Sequence, residues 1–137
     1  MRIIIENLGR VCVQKRKNEW ECRSIPKNMS NARLHWAVKS KWTNAWKTAV
    51  MEQVALQRTK LGKLPIPYAK VTITFYATHL MDYDGAYNAA KPLLDALKSK
   101  DGAGVIVDDS PKYIDLLVEQ VKVRHKPEER VRIEVKN

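Results

Sequence analysis

The chain has 137 residues, with 25 Lys and Arg against 15 Asp and Glu and a formal net charge of +10. This length suits one domain with a buried core, residues 1–137, and is short for two. No apolar run approaches the length of a membrane span, and residues 1–6 become charged too soon for a signal peptide. We therefore expect a soluble, intracellular, single-domain protein.

The positive charge is unevenly distributed along the chain. Residues 1–63 hold 14 Lys and Arg against 4 Asp and Glu, whereas residues 64–137 hold 11 of each kind. A basic surface attracts polyanions, because binding a phosphate backbone releases its counterions. The first half of the chain is therefore the expected contact surface for a phosphate-bearing partner.

The first predicted elements are a strand and a hairpin. Residues 1–6 read as a strand, and residues 11–23 alternate polar and apolar side chains with a break at Lys17 and Asn18. Cys12 and Cys22 fall in the hairpin segment, with no metal-ligand companions and no disulfide framework around them. We expect both thiols to be reduced and at least partly buried.

A long helix is predicted over residues 33–58. Trp42 and Trp46 lie one turn apart on its apolar stripe, so we expect them in the core rather than on a binding surface. The rest of that stripe is Val38, Ala45, Ala49 and Val50. The outer face carries Lys39, Lys41 and Lys47. These lysines are available to phosphates or form an ordinary solvated face, and residues 27–30 at the helix entrance could contact the same partner.

An acidic pair, Asp82 and Asp84, follows a predicted strand over residues 69–77. The buried face of that strand would carry Val71, Ile73, Phe75 and Ala77. In an extended Asp-x-Asp both carboxylates would point the same way, since side chains repeat with period two along a strand. Two carboxylates so placed repel unless a cation lies between them. Mg²⁺ prefers one or two carboxylates with water and phosphate oxygens, which suits this pair.

A second helix is predicted within residues 85–100, with Gly102 as its stop. Pro92 either begins or kinks its main part, because it has no backbone N–H to donate. Lys91 and Asp95 would lie one turn apart and could pair on the helix surface. From the residues alone, that surface ion pair is the favoured interpretation of Lys91.

A second acidic pair, Asp108 and Asp109, follows residues 105–107, which are predicted as a short buried strand. Neighbouring residues of a strand point opposite ways, so one of the two is expected to be the principal metal ligand. Each acidic pair by itself is more often a turn or a helix cap than a metal site. Two pairs separated by one helix in a basic chain favour the metal site.

Two further strands, residues 113–124 and 130–135, end the predicted element list. The set predicts an α+β fold, a single two-layer domain. We expect a mainly antiparallel or mixed sheet with about two helices packed on one face.

Three stretches of this sequence resemble one family in their order and spacing. They are Asp-x-Asp at residues 82–84, Lys-Pro-x-x-Asp-Ala-Leu at 91–97, and Gly-Val-x-x-Asp-Asp-Ser-Pro at 104–111. The upstream part of the resemblance comprises Pro26, Asn31, Arg33, His35 and Trp36. Over most of its length the chain resembles the RusA family of Holliday junction resolvases, the phage and prophage endodeoxyribonucleases.

The resemblance implies a divalent metal, Mg²⁺ with Mn²⁺ as an alternative, held by Asp82, Asp84, Asp109 and Asp108. It also implies that Lys91 stabilises the charge that develops on the phosphate. The four catalytic-type positions are present, so activity is expected. One departure is Gly85, where many members of the family carry Asn; Asn88 is a candidate to take over that role.

The implied substrate is branched DNA, a four-way junction resolved by phosphodiester hydrolysis in recombination and repair. The predicted DNA-contacting residues are Lys27, Asn31, Arg33, His35, Lys39, Lys41 and Lys47. A junction has two strands to cut symmetrically, so a homodimer is expected. The resemblance implies the cytoplasm of a bacterium or of a phage-infected host cell.

Two other functional classes compete with a nuclease. A non-catalytic nucleic-acid-binding module would use the acidic pairs only to cap turns. A metal-dependent phosphotransfer enzyme that holds a nucleotide is disfavoured, because the chain has no Gly-rich phosphate loop.

Overall fold

The computed structural model describes residues 1–6, 8–27 and 36–137. In these ranges the chain forms two α-helices and six strands. In chain order they are β1 (Arg2–Ile5), β2 (Val11–Arg16), β3 (Glu19–Arg23), α1 (Trp36–Gln57), β4 (Ala69–Ala77), α2 (Tyr83–Leu97), β5 (Ile114–Lys122) and β6 (Arg130–Lys136). The predicted α+β class is confirmed. No helix in the described ranges is both long and apolar enough to cross a membrane.

The main sheet has four strands in the order β1-β6-β4-β5. β4 pairs with β5 in parallel, and the other pairings are antiparallel, so the sheet is mixed, as the sequence allowed. The parallel pair is possible because α2 and the segment after it cross over between the two strands. β2 and β3 form a separate two-stranded antiparallel hairpin that contacts α1.

The core lies between the sheet and the helices. Val71, Ile73 and Phe75 of β4 are fully buried, as their alternation predicts. Trp42 and Trp46 of α1 are 4% and 1% exposed, so their core role is confirmed. The other buried residues of α1 are Val50 and Val54. Val38 was expected on the same stripe but is 38% exposed, one turn before Trp42 near the helix start.

The cysteines form a disulfide, so the expectation of two reduced thiols is wrong. Cys12 and Cys22 are directly opposite each other in the β2–β3 register, and their Cα atoms are 4.0 Å apart. The predicted break between the strands is confirmed at Asn18, whose φ of 63° is one that Asn tolerates in tight turns. Sequence spacing missed the bond because cross-strand register, rather than a surrounding cysteine framework, brings the two side chains together.

Residues 105–107 do not form the predicted strand. Val105 and Ile106 are fully buried, but Ile106 makes only isolated bridges, to Ile66 and Lys98. Both of their backbone N–H groups donate to the carbonyl of Leu97, at 2.9 and 3.0 Å, where α2 ends. Their burial was predicted correctly, but their N–H groups complete a helix terminus instead of a sheet ladder.

Candidate active site at helix α2

The first acidic pair lies at the N-terminus of α2. Asp82 is the N-cap residue, and its Oδ1 accepts a hydrogen bond from the backbone N–H of Gly85 at 2.7 Å. Asp84 lies in the first helical turn, and both acidic residues are exposed. The chain is helical from Tyr83 onward, so the expectation of an extended Asp-x-Asp with parallel carboxylates is wrong. A carboxylate that satisfies a free helix N–H is stabilised there, which favours the capped conformation.

The second acidic pair is positioned by the C-terminus of α2. The N–H of Ala103 donates to the carbonyl of Ala96 at 2.7 Å, so the chain folds back against the last helical turn. Gly102 makes this approach possible. A Cβ at residue 102 would lie 2.7 Å from the Asp95 carbonyl and 2.8 Å from that of Ala96, and closer still to the carbonyl of residue 98. The return of the chain brings the second acidic pair beside the helix.

Five charged residues therefore meet along α2, and we call them the lysine–aspartate cluster: Lys91, Asp95, Lys98, Asp108 and Asp109. Lys91 Nζ donates a hydrogen bond to Asp109 Oδ2. Lys91 Nζ also lies 3.4 Å from Asp95 Oδ1, which confirms the predicted helix pair. Lys98 Nζ is 3.2 Å from Asp95 Oδ1, 3.7 Å from Asp109 Oδ2 and 3.8 Å from Asp108 Oδ1.

Sequence reasoning missed Lys98 as a member of this cluster. Its position, three residues after Asp95 and seven after Lys91, places all three on one helix face. The sequence spacing could therefore have predicted that Lys98 belongs to the cluster. The contact of both lysines with Asp109 could not be predicted in this way, because it depends on how the chain returns after α2.

The ionisation of the cluster follows from these contacts. The hydrogen bond from Lys91 lowers the pKa of Asp109, against a smaller opposing effect of burial. The same hydrogen bond raises the pKa of Lys91. The close contact of Lys98 with the Asp95 carboxylate raises the pKa of Lys98. The two lysines thus remain protonated, and Asp109 remains a carboxylate.

A basic cleft of about 240 Å³ opens next to the cluster, between the end of the hairpin and the two helices. Its charged lining residues are four cations and one acid: Arg23, Lys27, Lys39, Lys91 and Asp95. Trp42 and Trp46 also line it, and the Arg23 guanidinium lies 4.2 Å from the centre of the Trp42 ring. The cleft therefore joins cations from the first half of the chain to the lysine–aspartate cluster of the second half.

A second, wider groove of about 630 Å³ shares Asp95 with the basic cleft. Its charges balance, since three lysines face three aspartates: Lys47, Lys98 and Lys100 with Asp95, Asp101 and Asp108. Of these two openings, the smaller one has the clear excess of positive charge, so it is the better candidate for an anionic ligand.

The predicted DNA-contacting residues are distributed among several places. Lys27 and Lys39 line the basic cleft, and Lys47 lines the balanced groove. Lys41 is exposed on α1 and lines neither of them. The predictions for Asn31, Arg33 and His35 lie outside the described residues.

The predicted metal ligands have the right chemistry but are not assembled into a ligand set. Among the described residues, no group of three or more His, Cys, Asp or Glu side chains is placed to hold a metal ion. Asp82 caps α2, and Asp109 is paired with Lys91. In the described residues Asp82, Asp84 and Asp109 are thus not gathered into one ligand group, and Mg²⁺ or Mn²⁺ binding stays a prediction.

The fold and site define an α+β domain whose basic cleft adjoins a lysine–aspartate cluster. Comparison of the chain with models of known families, with curated proteins and with solved structures found no match. The likeness to RusA-type resolvases therefore depends on the residues of this sequence alone.

Proposed function

We propose that this chain is a divalent-metal-dependent, structure-selective DNA endonuclease of the RusA type, acting on four-way junctions. One observation carries the proposal. Lys91, the predicted catalytic cation, lines the basic cleft and is hydrogen-bonded to Asp109 of the second acidic pair. Cations that could attract phosphates and the candidate catalytic group thus line one opening, which supports the proposal.

In this proposal the chain's own residues bind and orient the phosphodiester. Arg23, Lys27 and Lys39 attract the DNA backbone, with release of counterions. Lys91, held by its two aspartates at the border of the cleft, neutralises charge that develops on the phosphate as it reacts. In-line attack of water on phosphorus breaks the P–O3′ bond and leaves a 5′-phosphate and a 3′-hydroxyl. A bound Mg²⁺ would supply Lewis-acid polarisation and a more acidic water.

The acidic pairs must be functional for this proposal to hold. Asp82→Asn tests this directly, because Asn caps helices about as well as Asp but carries no charge. We expect the variant to retain its melting temperature and its affinity for a four-way junction but to lose cutting. Asp101→Asn is the matched control, since Asp101 lines the balanced groove and has no salt-bridge partner within the described residues.

The assay compares a synthetic four-way junction, flaps and plain duplex, each with and without Mg²⁺. Metal-dependent cutting of the junction, lost in Asp82→Asn and kept in Asp101→Asn, would support the proposal. Normal cutting by Asp82→Asn would show that the site is assigned wrongly. Absence of metal-dependent cutting on every substrate would refute the nuclease.

The second candidate is a non-catalytic nucleic-acid-binding module. It is favoured by the structural roles that both acidic pairs already have, Asp82 in the helix cap and Asp109 in the pair with Lys91. This candidate predicts binding to nucleic acid without cleavage under any metal condition.

Symmetric cutting of a junction also leads us to propose a homodimer with two sites related by a twofold axis. Sedimentation of the protein with and without junction DNA measures this directly. A monomer in both conditions would contradict the proposed dimer and would leave the assignment of the site residues unaffected.

A further inference from the structure

Arg23 lines two separate clefts. One is the basic cleft beside Lys91, and the other, of about 510 Å³, lies around the end of the hairpin. The charged residues of this second cleft are Arg10, Arg23, Lys126 and Glu129. Two parts of the chain that are distant in sequence, the two ends of the β2–β3 hairpin and the segment between β5 and β6, thus bring cations to one place.

The one acidic side chain that lines this cleft at the hairpin end already accepts hydrogen bonds within the protein. Glu129 Oε2 accepts hydrogen bonds from the backbone N–H and the hydroxyl of Thr78, at 2.9 and 2.8 Å. Arg10 and Lys126 are exposed. This cleft therefore presents an excess of positive charge to solvent.

Arg23 is held firmly where the two clefts meet. Its guanidinium lies over the Trp42 ring and 3.2 Å from Glu21 Oε1, and its side chain is 19% exposed. The disulfide joins Cys22, the residue before it, to the opposite strand. A planar guanidinium fixed in this way loses little freedom when it binds the oxygens of a phosphate.

We infer that the two clefts form one continuous track for a nucleic-acid backbone, running from Lys91 over Arg23 to Arg10 and Lys126. This inference rests on the proposed function and deepens it, because it states where a DNA strand or an arm of the junction leaves the candidate active site. The occupant is a row of phosphodiesters, which the cations contact without reading bases. Arg10, Arg23 and Lys126 thereby become DNA-positioning residues.

Other basic positions on the surface provide a matched control. Lys70 and Lys136 are exposed and face each other across β4 and β6, and neither lines either of the two clefts. Replacing this pair by Gln removes the same net charge as replacing Arg10 and Lys126. Any general effect of net charge is therefore equal in the two double variants.

The test is fluorescence anisotropy of a labelled four-way junction over a series of salt concentrations. We expect Arg10→Gln/Lys126→Gln to reduce the slope of log affinity against log salt by about 1.8, since each lost phosphate contact contributes about 0.9. For two binding curves that meet at about 1 M salt, this corresponds to roughly 60-fold weaker binding by the variant than by the wild type at about 0.1 M salt. Lys70→Gln/Lys136→Gln should retain the wild-type slope.

Arg23 is tested separately, because it is also packed on Trp42. Arg23→Lys retains the charge, and at a temperature where both variants are folded we expect it to bind DNA more tightly than Arg23→Gln; equal affinities of the two variants would remove Arg23 from the track. Equal slopes for the two double variants would overturn the track while leaving the nuclease proposal intact. Failure of the wild-type protein to bind any nucleic acid would overturn both.

Discussion

The disulfide leads to a prediction about stability. Replacing Cys12 and Cys22 by Ser removes a bond between strands whose pairing is otherwise unchanged. The bond acts mainly by limiting the freedom of the unfolded chain. The double variant should therefore fold to the same structure with a smaller free energy of unfolding.

The magnitude follows from the loop that the bond closes. The two cysteines are 10 positions apart. Closing a loop of about 10 residues removes about 9 cal/mol/K of chain entropy, which is about 2.7 kcal/mol at 25 °C. For a chain of this size that loss corresponds to a melting temperature lower by roughly 10 °C.

Urea unfolding of three samples tests the prediction: the oxidised wild type, the wild type in dithiothreitol, and Cys12→Ser/Cys22→Ser. The last two should unfold at the same urea concentration, below the oxidised protein, and dithiothreitol should not affect the double variant. Thiol titration of the unfolded oxidised protein should find no free thiol. Two free thiols, or equal midpoints for all three samples, would refute the reasoning.

Two further predictions concern the sheet and the turn after α2. The hydrogen bond from Arg2 is the main cause of the lowered pKa of Glu134. The ionised carboxylate therefore stabilises the folded protein above pH 4.5, the ordinary pKa of the group. This stabilisation is lost as the pH falls through the lower pKa that Glu134 has in the folded protein. Urea midpoints from pH 7 to pH 3 should therefore fall more steeply in the wild type than in Glu134→Gln; parallel curves would contradict this. Gly102→Ala places a methyl group against backbone carbonyls and should cost about 1–3 kcal/mol, measured by the same unfolding assay. An unchanged midpoint would show that the turn can adjust.

Local periodicity was sufficient for the regular elements. The strand at Ala69–Ala77 has the predicted bounds, because period-two alternation and burial on one face reinforce each other over nine residues. The core tryptophans of α1 and the break in the hairpin were predicted for similar local reasons. Each of these features depends on neighbours a few positions apart.

Competition for backbone partners explains the local errors. Asp82 was expected in an extended segment, but capping the free N–H groups of α2 stabilises a helix start there instead. Val105 and Ile106 look like a strand, yet their N–H groups bond to the end of the same helix. The sequence of each segment is compatible with a strand and with a contact to a helix end, and the position of α2 decides which of the two forms.

The sequence by itself determined the α+β class, the buried face of β4, the core of α1 and the placement of positive charge in the first half of the chain. Only the tertiary structure decided that Cys12 meets Cys22, that Lys91 and Lys98 converge on Asp109, and that Arg23 stands between two basic clefts. The physical reason is the sequence distance over which each feature is determined. Periodicity and charge are properties of neighbouring residues, whereas these meetings depend on strand register and on the return of the chain after α2.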